Sequence, residues 1–92
     1  MKDQLQNAAD FNRLGFEFLS TEIETGCTFA RTALQADEDG DGRRRNVGNA
    51  KRALQTVHDL KKKLKLTPEQ LQRLQVKLQE LKAVLQQLGE PT

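Results

Sequence analysis

The sequence predicts an all-α fold, an antiparallel up-down-up three-helix bundle with an N-terminal helical extension. Three observations carry this expectation. Leucines at 71, 74, 78, 81, 85 and 88 alternate steps of three and four, the spacing of one helix face. Two earlier stretches repeat that spacing with apolar residues. Short links containing Gly, Asp or Pro separate the three stretches, so consecutive helices should fold back on one another.

Ninety-two residues make one domain. A chain this short buries about two-thirds or less of its unfolded surface, which leaves one core and little room for a deep catalytic pocket. With 36% apolar and 30% charged residues and no Trp or Tyr, the composition is that of a soluble helical protein. No apolar run approaches the ~20 residues of a membrane span, so no membrane partner is expected. The stretch Met1-Lys2-Asp3-Gln4 lacks the apolar core of a signal peptide, and a single cysteine, Cys27, excludes an internal disulfide framework. The expected location is the cytoplasm. The net charge of +2 hides an asymmetry: residues 1–42 carry three basic and nine acidic side chains, and residues 43–65 carry nine and one. Such blocks attract an outside partner or each other.

The first helix should run to about Ala36 on a stripe of Leu5, Ala9, Phe16, Leu19, Ile23, Cys27, Ala30 and Leu34. Asn12 interrupts the stripe, and Gly15 costs about 1 kcal/mol against Ala in a helix interior. A kink or break is therefore expected at Asn12–Gly15, with residues 1–15 as an arm or short helix and residues 16–89 as the bundle. Phe11, Leu14, Phe18 and Phe29 fall off the stripe. A helix flanked by two others absorbs one or two such residues; the remainder form a second contact surface, because exposed apolar patches mark interaction sites.

The loop Asp37-Glu-Asp-Gly-Asp-Gly42 breaks the helix. It imitates the opening of a calcium loop, but position twelve, where a bidentate Glu belongs, is Gly48. No metal site is read there. The second helix, from about Asp41 or Gly42 to Leu64, buries Val47, Ala50, Ala53, Leu54, Val57, Leu60 and Leu64. Its back carries a basic face of Arg44, Arg45, Lys51, Arg52, Lys62 and Lys63. Thr67-Pro68-Glu69-Gln70 opens the third helix with an N-cap, a proline at the first helical position and a capping-box glutamine; Gly89 closes it.

A hairpin turning near Asp39–Gly40 opposes residues whose numbers sum to about 79–80. That pairs Ala30 with Ala50, Ile23 with Val57, Leu19 with Leu60 and Phe16 with Leu64, all apolar. It also brings Glu17 near Lys61 or Lys62. The leucine seam then fills the groove between the first two helices. Leu5, Ala8, Phe11 and Leu14 reach past this body and lack a partner within it.

No catalytic set is visible. Cys27 and His58 fall roughly two turns apart in the hairpin register, too far for a nucleophile–base pair. No Cys/His spacing suits zinc, and no Gly-rich phosphate loop follows a strand. No cofactor is implied, and the chain is expected not to be an enzyme. One polar cluster, Glu24, Thr28 and Arg31 with Asn46 and Asn49, is expected to form a hydrogen-bonded network between the first two helices that fixes register. The alternative is a small polar recognition site.

The stretches Glu24-Thr-Gly-Cys-Thr-Phe-Ala-Arg31 and Arg45-Asn-Val-Gly-Asn-Ala-Lys-Arg-Ala-Leu-Gln-Thr-Val57 resemble a pattern in small bacterial helical proteins, over about a quarter of the chain. There the second stretch tends to carry Tyr where this chain has Leu54. The resemblance implies a bacterial helical protein and brings no activity with it.

Two functions follow. The first is a non-enzymatic protein-interaction or self-association module, with a homodimer or a helical protein as partner. The second is nucleic-acid or anion binding through the basic face. Tyr and Trp, which stack on bases, are missing, and the acidic first helix repels phosphate.

Overall fold

The structure, a computed structural model, describes the backbone of residues 2–91 and the side chains of residues 10–91. Three helices, α1 (Lys2–Gln35), α2 (Asp41–Lys61) and α3 (Pro68–Gln87), make an all-α bundle, and no strand occurs among the described residues. The molecule is a rod of 56 × 21 × 16 Å with a radius of gyration of 15.4 Å. A compact chain of this length would have about 12 Å. The cause is α1: its 34 residues span about 51 Å, and the other two helices are much shorter.

α1 is the spine. It packs most closely against α2 and next against α3, whereas α2 and α3 touch each other least. The close α1–α2 approach follows from small residues: Ala30, Ala33, Ala50 and Ala53 are buried on the facing sides. A Cβ built at Gly26 would lie 3.1 Å from the Ala53 Cβ and 3.1 Å from a Leu81 methyl, so all three helices meet at that glycine. Leu74, Leu78, Leu81 and Leu85 of α3 fill the remaining groove, at most 1% exposed. Leu88 is half-buried, and Leu71 in the first turn is 40% exposed, so the seam is shorter than its spacing predicts.

The expected register holds. Gly26 opposes Ala53 and Gly15 opposes Leu64, and each pair of numbers sums to 79. The expected break in α1 is not there: the helix runs unbroken through Asn12–Gly15. Both residues are explained by the α2–α3 link instead. The Asn12 carboxamide oxygen accepts the backbone N–H of Lys65 at 3.0 Å. A Cβ at Gly15 would lie 2.6 Å from both Leu64 methyls, so the glycine admits Leu64 onto the helix. Propensity costs the helix something at Gly15, and this packing offsets it.

α2 ends at Lys61, three residues before the expected Leu64. The chain tightens there through Lys63 N–H to Leu60 O and Leu64 N–H to Lys61 O, the short-step bonds common at helix ends. α3 begins as expected: Thr67 caps Gln70 N–H, and the Gln70 side chain accepts the Thr67 N–H. At its other end Gly89 adopts φ 82°, with Gly89 N–H on Gln86 O and Glu90 N–H on Leu85 O. That bond pair is a Schellman motif, and it requires the left-handed backbone that glycine supplies.

Candidate interaction surface

The off-stripe apolar residues divide between core and surface. Phe29 is half-buried and packs against the core beside α2. Phe11, Leu14 and Phe18 remain 59%, 56% and 46% exposed. Their positions in α1 explain the difference. The register sets Phe18 level with residue 61, where α2 ends, and Phe11 and Leu14 lie beyond it. Spacings of three and four put the three side chains on one face, so the overhanging part of α1 presents a continuous apolar strip. Leu5 and Ala8, expected like Phe11 and Leu14 to lack a partner within the bundle, lie outside the described side chains.

The expected polar network does not form. Among the described residues no polar or charged side chain is buried. Thr28 Oγ1 donates to Glu24 O at 3.1 Å and Asn46 Nδ2 donates to Gly42 O at 2.8 Å, each within its own helix. Glu24 forms its ion pair with Lys77 of α3, not with α2. Glu24, Thr28 and Arg31 face the α1–α3 groove, and Asn49 lines a shallow furrow between α1 and α2. The two halves of the cluster therefore belong to different sides of the bundle. Glu17 likewise pairs with Arg13 of its own helix at 3.7 Å, not with Lys61 or Lys62.

The α1–α3 groove, about 620 Å³, escaped the sequence reading. Its walls carry Phe16, Ile23 and Val76 among Arg31, Arg73, Lys77 and Glu80. The trace it left in the sequence is Arg73, Lys77 and Glu80 at i, i+4 and i+7 beside the off-seam Val76.

The basic face of α2 is solvent-exposed throughout. Arg44 pairs with Asp41 at 2.8 Å and Lys51 with Glu90 at 2.9 Å. Arg45, Arg52, Lys62 and Lys63 have no carboxylate within ion-pair distance among the described residues.

Cys27 lines the α1–α3 groove at 5% exposure, and burial pushes its thiol up from the usual value. His58 sits among Lys82, Lys61 and Lys62; burial first and these lysines second hold its pKa below 6.5. The acidic link is no calcium loop, because α2 starts at Asp41, the fifth of its twelve positions. Among the described residues no group of His, Cys, Asp or Glu is placed to hold a metal ion. No helix there is long and apolar enough to cross a membrane. Comparison with protein-family models, curated proteins and solved structures finds no match to this chain.

Proposed function

We propose that this chain is a non-enzymatic protein-interaction or self-association module of the cytoplasm that binds a helix, from a second copy or a helical partner, on Phe11, Leu14 and Phe18. The observation that carries the reading is the exposure of these three large apolar side chains where α1 outruns α2. Full burial of a phenylalanine or leucine is worth about 1.5–3 kcal/mol; these three are only about half covered, and a partner helix recovers part of the remainder. The resemblance to small bacterial helical proteins is compatible with this role.

Sedimentation velocity at tens of micromolar tests it. If the partner helix comes from a second copy, the wild type sediments as a dimer and the Phe11→Gln/Phe18→Gln variant as a monomer of equal helicity. A monomeric wild type removes self-association.

Nucleic-acid or anion binding is the second reading, favoured by Arg45, Arg52, Lys62 and Lys63, which have no carboxylate partner among the described residues. A mobility-shift assay with mixed DNA and RNA at low salt separates the two, and no shift at micromolar protein eliminates the second.

A further inference from the structure

We propose that the outer α1–α2 face is a docking surface for an acidic amphipathic helix of a partner protein. The proposal rests on reading Phe11, Leu14 and Phe18 as a contact surface, and it adds the chemistry of the occupant.

Phe11, Phe18 and Phe29 stand seven and eleven residues apart. At about 100° per residue they share one azimuth of α1 to within about 20°. Arg45 and Arg52 share an azimuth of α2 in the same way, and Lys63 follows in the turn past its end. The two rows run side by side, because Phe29 and Arg52 line the same furrow of about 280 Å³. The register of 79 sets Phe18 level with residue 61 and Phe29 level with residue 50. Lys63 and Arg52 each lie two residues further along, so a cation accompanies each of these rings.

The charge on this face is unbalanced. Arg45, Arg52 and Lys63 are exposed without a carboxylate partner among the described residues, as is Lys62, whereas Arg44 and Lys51 are paired. Glu22 shares the furrow with Arg52 but forms no ion pair with it. An apolar row bordered by free cations complements a helix with leucines at three- and four-residue spacing and acids on the flanks. A second copy laid on the same face would bring its own cation row and leave both uncompensated.

Two labelled helical peptides of about 20 residues test this by fluorescence anisotropy against the full chain. Both carry one leucine stripe; one has Glu on its flanks and the other Lys. The Glu peptide is expected to bind about tenfold more tightly than its Lys twin, and more so at low salt. Arg52→Glu/Lys63→Glu and, separately, Phe18→Gln should each weaken it about tenfold with the circular-dichroism melt unchanged. Equal affinity for the twins, no binding of the Glu peptide at millimolar concentration, or indifference to both variants overturns the proposal. A DNA strand that outcompetes the Glu peptide also overturns it and assigns the cations to phosphate. If the Glu peptide fails while Phe11→Gln/Phe18→Gln still dissolves a dimer, the acidic partner falls and the interaction module stands. If both fail, both readings fall.

Discussion

The Asn12 side chain of α1 accepts the Lys65 backbone N–H of the α2–α3 link at 3.0 Å, across 53 positions of sequence. One turn further along α1, Gly15 receives Leu64. A polar gap and a helix-weakening glycine thus form one seat for the turn that sends α3 back along the spine. Replacing Asn12 by Ala should cost about 0.5–1.5 kcal/mol, the net worth of one hydrogen bond. Asn12→Asp, which keeps an acceptor, should retain most of it. Thermal melts and hydrogen exchange at the Lys65 amide check this. Equal protection in the wild type and Asn12→Ala would show that the bond contributes nothing.

Gly15→Ala sets two effects against each other. Alanine improves the helix by about 1 kcal/mol, but its Cβ falls within 2.6 Å of both Leu64 methyls. Leu64 is 8% exposed and has little room to swing away. The substitution is expected to destabilise the wild type and to stabilise a Leu64→Ala background by about 1 kcal/mol, a change of sign that a double-mutant cycle in urea reads directly. The same sign in both backgrounds would remove the packing explanation for this glycine.

At the level of Gly26 the constraint is harder, since the opposing Ala53 Cβ is fixed to the α2 backbone. Gly26→Ala should cost about 1–3 kcal/mol through overpacking. Its other neighbour, Leu81, is fully buried, and Leu81→Ala should cost about 2–5 kcal/mol, a large share of the stability of a domain this small. Both variants are measured by circular-dichroism melts; a shift of less than a few degrees for Leu81→Ala would contradict the placement of the core.

Periodicity made the helices, their antiparallel order and the register of 79 legible, because apolar spacing and side-chain burial express the same physics. The third-helix cap was legible for a related reason: Thr67, Pro68 and Gln70 act on their own backbone and need no partner. What failed depended on the third dimension. Gly15 reads as a break when propensity is the sole guide, yet Leu64 makes it a contact. Glu24 looked toward Asn46 and Asn49 when two helices were considered, and Lys77 of the third took it instead. The exposed Phe11 and Phe18 were legible as misfits to the stripe, but Phe29 carried the same signal and packs half-buried against the core. Telling them apart required knowing that α2 ends at Lys61.

The last prediction concerns pH. Burial, with Lys82, Lys61 and Lys62 adding to it and Asp59 opposing, holds the His58 pKa below its ordinary value of 6.5 in the folded chain. The unfolded chain takes up this proton near 6.5 and the folded chain only at lower pH. Between the two values the unfolded state binds more protons, so stability falls as pH falls through that window. The contribution is fully present above 6.5 and constant again below the folded value. Urea midpoints measured from about pH 7.5 downward should therefore decline in the wild type just below 6.5. His58→Gln should flatten that step, and Lys82→Gln should reduce it by removing the largest cause after burial. Parallel midpoint curves for the wild type and His58→Gln across this window would mean that the folded pocket does not disfavour the imidazolium.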